Sequence, residues 1–142
     1  MREETKKLVE ELEKEGIKFD LKEGECEEKA DIIDFSIAGD LTNYDIRMAV
    51  IEGSITIVSW LINVIKEEKY GSLLETLNTL NYEHRFAKFY AVKNDEQEGY
   101  CVTAQIDSVY GDNYDSEETI GLIGFFLDIV EEAYPQIIKC IA

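Results

Sequence analysis

The sequence predicts an α+β fold: a five-stranded, mostly antiparallel sheet with helices packed on it, in the order α-β-β-β-α-β-β-α. Three observations predict it. Apolar residues step by three and four near the start, in the middle and near the end of the chain, as they do on one helix face. Between these stretches lie blocks rich in β-branched and aromatic residues, some alternating with period two. A length of 142 residues with 45% apolar content suits one domain, spanning 1–142, whose core needs neither metal nor disulfides.

Residues 3–15 read as a helix, with Leu8, Val9 and Leu12 as a narrow apolar stripe and Glu3/Lys7 and Glu10/Lys14 at i,i+4 spacing. Gly16 suits its stop. Ile17, Phe19 and Leu21 alternate as a short extended segment would, and KEGECEEK at 22–29 reads as a polar loop. Three strands follow: IIDFSIAG at 32–39, YDIRMAVI at 44–51 and SITIVSWLINVI at 54–65. The last is almost wholly apolar, as a central strand would be. Glu52-Gly53-Ser54 between the second and third is a hairpin signal.

A second helix is expected over 66–82, its buried face made by Tyr70, Leu73, Leu74, Leu77 and Leu80. FAKFYAV at 86–92 and YCVTAQID at 100–107 form two more strands, joined by the turn NDEQEG. The final helix opens at Asp115 or Ser116, with Glu117 and Glu118 meeting the positive end of its dipole. Its stripe runs through Ile120, Ile123, Leu127, Val130 and Tyr134; Pro135 is expected to end or kink it, leaving IIKCIA as an apolar tail.

Charge narrows the function. Thirty-one acids against 14 bases give a net charge of −17, and only one base, Lys139, follows Asn94. Phosphate recognition needs clustered Lys and Arg, so nucleic acid and anionic membrane are excluded as expected partners. The acidity reads as a solvated surface, or as attraction for a basic partner segment. The longest nearly apolar stretch, residues 55–65, falls short of the roughly 20 residues a membrane span requires. Three dispersed cysteines and no amino-terminal apolar segment suggest a reducing, cytoplasmic setting.

Little here resembles catalytic chemistry. His84 is the one histidine, in LNTLNYEHRF, and reads as a residue at a helix end, where positive charge is welcome. DNYDSEE at 112–118 fails the calcium-loop frame, since Tyr114 and Glu117 fall where an oxygen ligand and a glycine are needed, so it reads as a helix cap. Cys26 lies among carboxylates that disfavour a thiolate, and Cys101 and Cys140 read as packing residues. No catalytic, cofactor-binding or metal-ligating residue is therefore expected. Trp60 reads as core in the central strand, with a partner anchor as the exposed alternative. Gly121 and Gly124, next to Phe125, weaken a helix interior and suit close approach of a strand or a partner helix, as core packing or a dimer seam.

LNTLNYEHRFAKFYAV, followed by GYCVTAQID and SEETIGLIGFFLDIVEEAYP, resembles the YbjN family of small bacterial proteins. Asn78, Asn81, Phe86, Lys88 and Phe89 carry the resemblance, as structural residues. Asn tolerates the left-handed conformation of helix ends, and its amide can bond backbone groups left without partners. The resemblance implies a regulator of signalling or stress response, with a fold like that of type III secretion chaperones. Such chaperones are small, acidic and homodimeric, and hold an extended client segment. The expectation is a non-enzymatic protein-interaction module acting on a protein partner or client, as a homodimer. The alternative is a secretion-chaperone-like adaptor using strand addition or an apolar groove, and a small-ligand sensor or enzyme comes third.

Overall fold

The computed structural model describes residues 1–96 and 98–142; Gln97, inside the expected NDEQEG turn, lies outside them. The elements are α1 (Glu3–Lys14), β1 (Phe19–Glu25), β2 (Ala30–Ala38), β3 (Asn43–Ile51), β4 (Ser54–Lys66), α2 (Tyr70–Glu83), β5 (Lys88–Asn94), β6 (Gly99–Val109) and α3 (Ser116–Ile141). The strands form one sheet in the order β1-β2-β3-β4-β6-β5. Every neighbouring pair is antiparallel. The mixed α+β architecture is as expected, with one more strand than the sequence reading counted.

The added strand is β1. Phe19 and Leu21 pair opposite Phe35 and Ile33 and turn toward the core, while charged residues fill the alternate positions. A strand at a sheet edge keeps one side in water, so its polar composition imitates a loop. The turn to β2 places Cys26 and Lys29 at φ of 64° and 52°, so Cys26 occupies a strained corner.

All three helices cover one face of the sheet. Leu8 and Leu12 of α1, Leu73, Leu77 and Leu80 of α2, and Ile123, Phe126 and Val130 of α3 join Ile33, Ile46, Met48, Ile57 and Val102 in a single buried cluster. A sheet clothed on one side alternates apolar and polar residues along its strands, and β3 does so from Tyr44 to Val50.

Among the boundaries that differ from expectation, three matter most. β4 runs on to Lys66 because Ile65 and Lys66 still pair with Tyr100 and Gly99, so a short 3₁₀ turn at Glu67–Lys69 precedes α2. β5 begins at Lys88, leaving Phe86 outside the strand. Most instructive, α3 passes through Pro135 and continues to Ile141. The proline removes the donor for the Glu131 carbonyl, but Ala133 and Ile137 are fully buried on either side of it. Packing outweighs the lost bond, and the expected apolar tail is a last helical stretch.

Candidate functional site

The face opposite the helices is bare among the described residues, and Trp60 stands in its middle. Trp60 is therefore not in the core; it is 38% exposed. The alternation of β4 sends Ile55, Ile57 and Ser59 to the covered side, and so sends Thr56, Val58 and Trp60 to the open side. Immediately after Trp60 the pairing of β4 with β6 shifts register twice, between Trp60 and Ile62 and between Ile62 and Ile65. Bulges of this kind bend a strand and re-aim its side chains.

Arg47 holds the tryptophan on one side. Its guanidinium lies 5.2 Å from the Trp60 ring centroid. It also donates from Nε and Nη2 to the two Asp34 oxygens at 2.8 and 2.9 Å, across the β2–β3 pairing that sets Asp34 opposite Arg47. The bidentate bond with Arg47 keeps the Asp34 carboxyl below the usual range despite partial burial, and raises Arg47 in turn. A fork bonded at both oxygens is restricted in orientation, and it places the guanidinium against the Trp60 ring.

On the other side lies an open concavity of about 810 Å³. Trp60, Thr103 and Tyr90 share one cross-strand row over β4, β6 and β5. The Tyr90 hydroxyl donates to Gln105 Oε1 at 2.7 Å, Gln105 Nε2 donates to Asp107, and Thr56 donates to Asp107 Oδ1 at 2.6 Å. This chain draws Tyr90 toward Gln105 and leaves space over Cys101, Val92 and Val58. Burial pushes the Cys101 thiol up, which opposes thiolate chemistry there. The hairpin between β5 and β6 forms the rim, with Lys93, Asp95 and Glu96.

A second exposed apolar surface lies on the helical side. Phe86 and Phe125 meet edge to face at 5.8 Å, with Arg85 over the Phe86 ring at 5.6 Å. They are 63% and 44% exposed. Gly121 and Gly124 flank Phe125 on α3, and a Cβ at either would meet no atom within 4 Å. Core packing therefore does not explain them.

The remaining sequence candidates occupy structural positions. Asn81 donates from Nδ2 to the Phe89 carbonyl at 3.0 Å and accepts from the Phe89 N–H at 2.7 Å. No left-handed residue ends α2; its cap, His84, has φ −111° and donates its N–H to the Leu80 carbonyl. Asn78 is exposed on α2, and Lys88 reaches over Tyr90 at 5.9 Å. The His84 ring packs 5.9 Å from Phe89, its Nε2 buried and without a hydrogen-bond partner among the described residues. Asp115 caps α3 by accepting from the Glu117 N–H at 3.0 Å. Among the described residues no group of three His, Cys, Asp or Glu side chains could hold a metal, and no helix is long and apolar enough to cross a membrane.

Sequence reasoning passed over Arg47, Asp34 and Tyr90. Part of the signal for the first two was present: IIDFSIAG carries one charged residue on its polar phase, Asp34, and YDIRMAVI carries two, Asp45 and Arg47, and the register that sets Asp34 against Arg47 also sets Ser36 against Asp45.

Comparison with known proteins places this geometry in a family. Residues 7–139 match YbjN, described as "Putative bacterial sensory transduction regulator". Among solved structures the chain is similar to YbjN from E. coli, described as "a putative transcription regulator". The TM-score is 0.68 at 11% identity, over 92% of this chain and 87% of that one. At that identity the likeness concerns the fold alone. No curated protein matches the chain.

Proposed function

The chain belongs to the YbjN family, and from that premise we propose that it regulates by binding protein, without catalysis of its own. It does so as one unit over residues 1–142, in the cytosol. The observation that carries the reading is Trp60: a large aromatic side chain, exposed on an uncovered sheet face and clamped in place by Arg47 and Asp34. Tryptophan is enriched among residues that dominate binding energy, and a side chain already held loses little freedom when a partner covers it. With a net charge of −17 the surface repels nucleic acid, so a regulatory effect travels through a protein partner.

A second reading concerns self-association. Exposed Phe125 and Phe86 beside Gly121 and Gly124 put projections and hollows on one surface, the self-complementary pattern a twofold dimer uses. The secretion-chaperone-like adaptor remains the alternative. Its strand-addition form is disfavoured on β5, where Asn81 occupies the backbone groups of Phe89.

The test is affinity capture from a native extract with wild-type protein and the Trp60→Arg variant, after circular dichroism has matched their folds. The reading expects a protein captured by the wild type and lost with the variant. Identical capture by both, or capture of nothing above the matrix control, overturns it.

A further inference from the structure

We infer that the concavity beside Trp60 is a docking groove for an extended, proline-containing segment with lysine or arginine flanks; this rests on the protein-binding reading above. Four features bear on it.

The groove lies on the open face of the sheet, where outward side chains line it. Trp60 and Tyr90 supply aromatic surface, and Val58 and Val92 supply apolar walls, over half-buried Cys101 and buried Thr103. A ligand that needs ladder hydrogen bonds gains little from such a surface. A polyproline II segment makes no internal backbone bonds, is stiff before it binds, and packs its rings on aromatic faces.

The nearest free backbone is also partly closed. β5 is an edge strand, but at Phe89 both groups facing away from β6 are held by Asn81. Lys88 and Lys93 stand along the same strand, and lysines on an edge discourage added strands. The groove beside β5 thus accepts a side-chain reader better than a strand.

The rim selects for charge. Asp95 and Glu96 border the groove against one base, Lys93, and Glu98 follows in the same hairpin at φ 50°. Arg47, the cation beside Trp60, is already paired with Asp34, and Lys88, over the Tyr90 ring, lies outside the lining. Cationic residues flanking the apolar segment meet this acidic hairpin, and the field of the whole acidic chain steers them in.

Both sides of the groove are fixed in advance. Arg47 and Asp34 hold Trp60, and the chain through Gln105 and Asp107 holds Tyr90. Preorganisation lowers the ordering cost that otherwise defeats a shallow site.

Trp60 is the only tryptophan, so its fluorescence reports the groove directly. Three synthetic peptides of equal length are titrated into the full chain: proline-leucine repeats with arginine flanks, the same repeats with glutamate flanks, and a valine-threonine peptide with arginine flanks. The arginine-flanked proline peptide is expected to change the emission saturably, and to bind at least about tenfold more tightly than either of the others. The surface variant Asp95→Lys/Glu96→Lys, remote from the core, is expected to weaken it by about tenfold and to reverse the flank preference. Lack of saturation at millimolar arginine-flanked proline peptide overturns the inference, as does indifference to the flanks. Tighter binding of the valine-threonine peptide overturns it in favour of strand addition. If the Trp60-dependent capture described above persists while no proline peptide binds, protein binding stands and the proline groove falls.

Discussion

Asn81 completes the hydrogen bonding of Phe89 from outside the sheet. Its amide donates to the Phe89 carbonyl and accepts from the Phe89 N–H, at 3.0 and 2.7 Å, as a neighbouring strand would. One side chain on the last turn of α2 therefore fixes the helix against β5 and closes the sheet edge at that residue. Asn81→Leu removes both bonds and Asn81→Asp removes the donor. Each is expected to cost about 1–2 kcal/mol, read as a lower urea midpoint at unchanged slope. The leucine variant also frees an edge, so its light scattering should rise with concentration. Midpoints equal to wild type would show that water replaces Asn81 without loss.

A buried carboxylate ties α1 to the first hairpin. Asp31, 2% exposed, accepts from the Arg2 N–H at 2.8 Å, the Thr5 hydroxyl at 2.7 Å and the Gly24 N–H at 3.1 Å. Burial pushes its pKa up, but the three donors outweigh burial and hold it below the usual range. A carboxylate depressed in the folded state stabilises fully above its unfolded pKa of about 3.9, and that contribution disappears as pH falls through the lower folded value. Asp31→Asn turns an amide donor toward donors, with an expected loss of about 2 kcal/mol at pH 7. Urea midpoints between pH 7 and pH 2.5 should fall less steeply for the variant than for the wild type. Parallel profiles would remove Asp31 from the acid response.

How far the sequence could be read followed from how each element is stabilised. Strands β2, β3 and β4 are flanked by neighbours and covered on one face, so burial wrote period-two patterns or apolar runs into them. β1 has one neighbour and only Phe19 and Leu21 to bury, too little pattern to separate a strand from a loop. The final helix was mis-ended because a local rule about proline gave way to tertiary burial of Ile137. Trp60 lies in an apolar run, and nothing in that run says which face the helices cover. That choice depends on contacts between α3 and β4 far apart in the chain. The Asn81 and Phe89 motif was visible as a joint, whereas its edge-closing bonds required the actual approach of α2 to β5.

Tyr44 carries a burial without compensation. It is 2% exposed, its ring meets Tyr134 edge to face at 6.0 Å, and its hydroxyl has no hydrogen-bond partner among the described residues. The adjacent Glu131 directs Oε1 to the Asp40 N–H at 2.8 Å instead. Tyr44→Phe removes an unsatisfied polar atom and keeps the ring, so it should be neutral or stabilising by up to about 1 kcal/mol. Burial first, and the Glu131 charge second, raise the Tyr44 phenol far above its ordinary value. A phenol with a raised folded pKa loses its proton first in the unfolded chain, so stability drops once pH passes about 10. The variant should flatten that alkaline decline without abolishing it, because Tyr114 is pushed up to about 12 by burial and keeps its share. Urea midpoints at pH 8 and pH 11 decide it; a destabilised variant at pH 8 would mean the hydroxyl is bonded after all.

Glycines in this chain divide by what surrounds them, and the division yields opposite predictions. A Cβ at Gly39 would meet Glu131 Oε1, the Tyr44 ring and the Thr42 carbonyl. Gly39→Ala must push Glu131 off the Asp40 N–H and disturb the turn into β3, for an expected loss of about 2–3 kcal/mol. At Gly121 and Gly124 nothing lies within 4 Å, and both sit inside α3, where alanine is favoured by about 1 kcal/mol per site. Gly121→Ala/Gly124→Ala should therefore raise the melting temperature of dilute protein. If these glycines admit a second copy beside Phe125, the same methyl groups obstruct that approach. Sedimentation at micromolar concentration should then show the double variant dissociating at least about tenfold more readily than wild type, although its fold is more stable. A wild type that sediments as one 16.3 kDa species removes the dimer reading. A double variant that associates as wild type does would assign the glycines no part in the seam.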